Sequence, residues 1–187
     1  MKVNWEQMTE QDLKIITKQL GREPRGVLGI AKRCCYGYPQ IIINRPIVYE
    51  GETLRVFPTT FWLTCPFLSR AISRLEGGGL VGTLQDKVNT DNEFAAKVAE
   101  NHREHAQFRT SLISDEMLNS LAKNYPNEYK VLTKTGIGGV RSFEGVKCLH
   151  AHFSDYMILG SNVIGAMVYD LLGGNLNCSS GNCSLED

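Results

Sequence analysis

QIIINRPIVYEGETLRVFPTTFWLTCP runs from Gln40 to Pro66, and its reading decides the fold. Gln40-Ile41-Ile42-Ile43 is apolar and β-branched, the composition of a strand. Pro46 to Tyr49 continues or pairs with it, and Glu50-Gly51-Glu52 is a turn. Thr53 to Phe57 and Thr60 to Thr64 follow as strands separated by Pro58. Proline has no N–H for a ladder, so Pro58 forces a bulge or an edge position. The alternation predicts an antiparallel arrangement. At Cys65-Pro66 the character changes, because proline suits the first turn of a helix. Phe67, Ala71, Ile72 and Leu75 form a helical apolar stripe, and Gly77-Gly78-Gly79 end it.

Upstream, Thr9 is a helix N-cap with Glu10 and Asp12 in the first turn. Leu13, Ile16 and Leu20 form the stripe and Gly21 the stop, and Gly26 to Ala31 reads as a strand. Downstream, a long helical region from Asp91 carries Phe94, Val98, His102, His105 and Arg109, then resumes as Ser114 to Ala122. Asn127 to Thr133 is a short helix after Pro126, and Gly136 to Gly139 is a loop. Val146 to Leu159 and Val163 to Leu172 read as two closing helices. The fold class is α+β: a small N-terminal antiparallel β unit packed against a mostly helical C-terminal portion. Residues 1–172 read as a single domain, and the Gly-, Asn- and Ser-rich residues 173–187 as a flexible C-terminal tail.

Twenty Lys and Arg balance twenty Asp and Glu over 187 residues, giving a formal net charge of zero. That balance argues against nucleic acid as the main partner, because such binding rests on neutralising many phosphates. The opening MKVNWEQMTEQDLK is too polar for a secretory signal, and no window approaches a membrane span. A cytoplasmic location is the expectation, where thiols stay reduced. The six cysteines then read as free, buried, metal-bound or reactive rather than as a disulfide framework. Cys34-Cys35 is a vicinal pair that a strained disulfide does not suit. Cys178 and Cys183 fall in the tail, as candidates for metal binding or oxidation against the plainer reading of an idle segment. The oligomeric state stays open.

Several strings stand in a telling order: QLGREPRGV (Gln19 to Val27), a cysteine after Arg33, FPTTFWLTCP (Phe57 to Pro66), SRLEGGG (Ser73 to Gly79), VKCLHAH (Val146 to His152) and SNVIG (Ser161 to Gly165). Together they resemble the family called domain of unknown function 501, a set of bacterial proteins, over residues 12–172. LTCP and VKCLHAH are its most specific marks. The resemblance implies motifs and not a mechanism. It implies a family histidine where this chain has Asp155, and a Cys-Pro-Cys-Gly turn where it has Cys34-Cys35-Tyr36-Gly37. Cys34 stands at the first family cysteine and Tyr36 at the second, while His102 matches a family histidine.

Cys148, His150 and His152 fall within five positions, and thiolate and imidazole are ligands for zinc and iron. On a helix from Val146 to Leu159, Cys148, His152 and Asp155 follow i, i+4, i+7 and share one face, with His150 opposite. Cys65, at a strand-to-helix junction, is the leading further ligand. The expected site is therefore a zinc or iron site of Cys65, Cys148, His152 and Asp155, with Cys34 and His102 in reserve. His105, three residues beyond His102, shares its helix face.

Two other readings stay open. Cys65 or Cys148 could be a nucleophile, with His150 or His102 as base, in a thiol-dependent enzyme acting on a small anionic substrate. Arg22, Arg25 and Arg141 are the candidate anion-binding residues, the last beside a glycine loop whose N–H groups could cradle a phosphate or carboxylate. The remaining alternative is a non-catalytic interaction or regulatory module in which these residues are core.

Overall fold

Thr9 caps the first helix, as its sequence predicts. In the computed structural model, which describes residues 3–183, α1 (Glu10–Leu20) opens with a capping box. The Asp12 N–H donates to Thr9 Oγ1 (3.1 Å), and the Thr9 N–H donates to the Asp12 carboxylate (3.0 Å). Gly21 ends the helix in the left-handed region at φ 70°. The strands follow as β1 (Val27–Arg33), β2 (Pro39–Asn44), β3 (Ile47–Glu50), β4 (Thr53–Val56) and β5 (Phe61–Leu63). The helices are α2 (Pro66–Gly77), α3 (Leu80–Thr90), α4 (Asn92–Ser111), α5 (Asp115–Asn124), α6 (Pro126–Lys134), α7 (Leu149–Leu159) and α8 (Val163–Leu171). A single 3-10 turn at Ile137–Gly139 precedes α7. The α+β reading holds: antiparallel strands first, helices after.

The strands form two sheets rather than one unit. β1, β2 and β5 make an antiparallel sheet in that order, and β3 and β4 make a separate hairpin. The two prolines divide them. Pro46 precedes β3, and its carbonyl accepts from the Phe57 N–H (2.8 Å), closing the hairpin. Pro58 lies between β4 and β5, outside both ladders. β2 is buried along its whole length. Ile41 and Ile43 face a cluster with Phe61 and Phe108, while alternation turns Ile42 to the opposite side. α1 packs against β2. Beyond β1 the chain adds only an isolated bridge, Glu6 to Ile30.

The larger core lies among the helices: Leu68 and Ile72 of α2, Leu84 and Val88 of α3, Phe94 and Val98 of α4, Leu149 and Phe153 of α7, Ile164 and Val168 of α8. The sequence reading stops α2 at the glycine run and has no α3. Leu80, Leu84 and Val88 do follow a helical stripe, but Gly82 and the preceding glycines mask it.

Arg109 of α4 is fully buried, and its guanidinium meets no carboxylate among the described residues. It donates to the carbonyls of Leu132 (2.8 Å from Nε), Thr135 (2.6 Å) and Pro58 (2.6 Å). Leu132 is in the last turn of α6 and Thr135 is its C-cap, so the cation satisfies orphan carbonyls at the negative end of a helix dipole. Burial still pulls its pKa down to about 10, which leaves it charged at neutral pH. Arg109→Leu strands those carbonyls and should cost about 3 kcal/mol or more in urea unfolding. Arg109→Lys should recover only part of this, since an ammonium cannot fork across acceptors from two segments. An unchanged unfolding midpoint in both variants would refute this account.

Candidate functional site

Ser69, Ser73 and Glu76 fall at i, i+4 and i+7 along α2, so they share the face on which α7 packs. Opposite them is the start of α7. Cys148 is its N-cap, with extended backbone (φ −140°), and His150 lies in the first turn. His150 Nδ1 stands 3.2 Å from Glu76 Oε1 and 3.9 Å from Cys148 Sγ. Its Nε2 faces the Ser69 carbonyl at 3.0 Å and Ser73 Oγ at 3.3 Å. Glu76 Oε1 also accepts the Leu149 N–H (2.7 Å), which sets a carboxylate at the positive end of α7. Glu76, Cys148 and His150 each place one ligand atom within 4.8 Å of the others, all three half-buried. Among the described residues they are the Cys, His and acidic group that meets this condition.

Cys148 and His150, with Ser69 and Ser73, open on a cavity of about 490 Å³, walled by Phe61, Trp62, Leu63 and Gly138. The Cys148 sulfur raises the His150 pKa to about 9, against the opposing effect of burial, and the Ser69 carbonyl and Glu76 add to the rise. Without a metal the imidazole is therefore a cation at neutral pH, donating from both nitrogens. Arg22 lies over the Trp62 ring, 5.5 Å from its centroid, which puts a second cation near one wall.

His152 and Asp155 do share a helical face, but it points into the protein. Asp155 Oδ1 meets His105 Nδ1 at 2.6 Å, and Asp155 Oδ2 accepts from Asn162 (3.0 Å). His105 Nε2 faces the Pro58 carbonyl at 3.2 Å. Both His105 nitrogens thus face oxygen atoms. His152 Nδ1 lies 3.3 Å from Asn162 Oδ1, an oxygen that also accepts the Gly165 N–H, and its Nε2 has no partner. His102 accepts the Ile137 N–H at Nδ1 (3.0 Å), so its Nε2 carries the proton toward the Gly145 carbonyl (3.1 Å). Both its nitrogens are therefore engaged. Gly136 packs so closely that a Cβ there would fall 2.3 Å from the His102 ring.

The expected ligand set of Cys65, Cys148, His152 and Asp155 is therefore divided. Cys148 faces the cavity, His152 and Asp155 belong to the interior network, and Cys65 is buried at the N-cap of α2 beside the C-terminal segment. The helix expected from Val146 begins at Leu149, which takes Cys148 off the His152 face. Burial raises the Cys65 thiol, outweighing the nearby N–H groups, which disfavours it as a nucleophile. The arginines have separate settings: Arg25 pairs with Glu50, Arg22 lies over Trp62, and Arg141 is exposed in the loop before α7. The glycine loop does not form the expected anion cradle. The N–H groups of Gly136, Ile137 and Gly139 already donate to Val140, His102 and Gly136. Glu76 escaped the sequence reading although it stands in the quoted SRLEGGG string. The signal was its i+7 spacing from Ser69.

Burial holds His152 at a pKa of about 3 and His102 at about 4, against an ordinary 6.5. The unfolded chain therefore takes up protons below about pH 6.5 that the folded protein refuses. The stability these two histidines contribute should be full above that pH and fall as pH drops toward 4, by about 1.4 kcal/mol per pH unit for each that stays neutral. His150, raised to about 9, instead contributes fully below about pH 6.5 and loses its share as pH rises toward 9. Urea midpoints between about pH 6.5 and 5 check this, and His152→Asn should flatten the slope. A pH-independent midpoint would contradict it.

Comparisons with curated proteins and with solved structures return no match. A family model does match, over residues 30–170. That span contains Glu76, Cys148, His150 and the whole interior histidine network, while Cys178 and Cys183 lie beyond it. The chain belongs to the family described as "Protein of unknown function (DUF501)".

Proposed function

We propose that this is a metal-binding protein in which Glu76, Cys148 and His150 hold one zinc or iron ion, with an open coordination position toward the cavity. One observation carries the reading: Glu76 and Cys148 approach the same nitrogen of His150, while a backbone carbonyl fixes the other. In an acid–base relay the thiol and the carboxylate would sit on opposite nitrogens. Three donors converging on one point, with the far imidazole N–H tied to a carbonyl, is the pattern of a ligand set with its supporting bond. Three protein ligands leave room for water or a substrate atom, as catalytic metal sites do. The reading takes the protein as cytoplasmic, where the Cys148 thiol stays reduced.

A second reading has its own observation. Cys148 stands at a helix N-terminus beside an imidazole that is cationic at neutral pH, a setting that favours reactive thiols in general. In that case the protein is a thiol-dependent enzyme acting on a small anionic substrate, with Cys148 as nucleophile.

Metal titration against a chromophoric chelator separates the two. The full chain is used in a Cys178→Ser/Cys183→Ser background, so that the tail thiols do not contribute. It should bind about one zinc or ferrous ion, and His150→Ala, Cys148→Ala or Glu76→Gln should each weaken binding by about tenfold or more. Bound metal should also shield Cys148 from iodoacetamide. Affinity unchanged in all three variants would overturn the metal reading. Rapid Cys148 alkylation that metal does not slow would favour the thiol reading.

A further inference from the structure

We propose that Cys34, Cys65, Cys178 and Cys183 form a second, thiolate-bound metal centre that fastens the C-terminal segment to one end of the three-stranded sheet. Four placements meet at the Pro39–Gln40 end of β2. Cys34 closes β1: its N–H donates to the Tyr38 carbonyl (2.9 Å), and its carbonyl accepts the Gly37 N–H (3.0 Å) in the turn leading to Pro39. Cys65 follows β5, and the Gln40 carbonyl accepts the N–H of Thr64 (3.0 Å) and of Cys65 (3.4 Å). The C-terminal segment is laid across the same end. The Gln40 side chain donates to the Leu176 carbonyl (2.7 Å), and the Cys35 N–H donates to Asn177 Oδ1 (3.0 Å). Gln19 Nε2 donates both to the Pro39 carbonyl (2.9 Å) and to Cys183 Sγ (3.4 Å).

Cys65, Cys178 and Cys183 line one cavity of about 200 Å³, with Arg70 at its wall. Cys34 and Cys183 both lie near enough to Cys65 to act on its charge, and Cys34 and Cys178 both act on Tyr36. Two of the thiols share a local geometry. The N–H groups of the residues two and three positions on, Phe67 and Leu68, act on the Cys65 sulfur. Those of Ser180 and Gly181 act in the same way on Cys178.

The ligand chemistry is that of a four-cysteine zinc site or an iron–sulfur cluster. Zn–S bonds of about 2.3 Å in a tetrahedron put the sulfurs about 3.8 Å apart. These four provide no three sulfurs within 4.8 Å of one another. Zinc would therefore draw the C-terminal segment inward, whereas a polynuclear cluster would accept a wider set.

The test uses the full chain carrying Cys148→Ala, so that the site of Glu76 and His150 is not counted. After anaerobic purification, zinc, iron and acid-labile sulfide are measured per chain, with absorption near 400 nm. The proposal expects either about one zinc without sulfide, or iron with matching sulfide and a visible band. Cys178→Ser/Cys183→Ser should lower that metal by about tenfold or more. A chelator should abolish hydrogen-exchange protection of residues 175–183 in the parent and change nothing in the double variant. Metal-free anaerobic protein would overturn the proposal, as would metal retained in the double variant or a disulfide linking Cys65 to Cys183.

Discussion

The Pro58 carbonyl accepts from two buried side chains of α4, the His105 imidazole and the Arg109 guanidinium, and the arrangement of the domain depends on that junction. Arg109 reaches on to the carbonyls at the end of α6, and His105 to Asp155 of α7, which in turn holds Asn162 at the cap of α8. One contiguous polar network thus joins the inter-sheet connection to four helices. A buried cation is costly to desolvate and is tolerated where every donor finds an acceptor. The network is therefore a strict positional constraint. A helix that shifts by one residue breaks bonds to charged groups.

The same constraint sets which way α7 faces. Asp155 and His152 are spent on the interior, so the helix cannot rotate to bring them out. His150, about 160° around the helix from His152, is left toward α2. Cys148, in extended backbone ahead of the helix, joins it there. His150 and His152 of VKCLHAH point opposite ways because the two sides of one helix serve two purposes.

Local codes in the chain were legible where the cause is local. Thr9 and Asp12 form their capping box, Gly21 takes the left-handed turn, Pro66 starts α2, and Ile41 to Ile43 make the buried strand. What could not be read were facts set by distant partners. Asp155 offered a carboxylate for metal, and only the fold shows it answering His105, fifty residues away. Glu76 looked like a helix-end acid before a glycine run, since its partner in α7 lies 73 residues on. The helix starts at Leu149 rather than Val146, with Cys148 in extended backbone ahead of it and the Val146 N–H held by the Gln85 side chain. In each case the residue types were visible and the pairing was tertiary.

The short edges of the three-stranded sheet have a consequence for self-association. An exposed strand edge is a template for a strand from another molecule. Here β5 pairs over only three residues, Phe61 to Leu63, and on the other side the Glu6 backbone already occupies both hydrogen-bonding groups of Ile30. Gly29 lets that segment approach, since a Cβ there would meet the Glu6 carbonyl at 2.4 Å. The sheet carries its most apolar strand in the centre and leaves little free ladder at either side. Chains at high concentration therefore have little strand edge through which to stack.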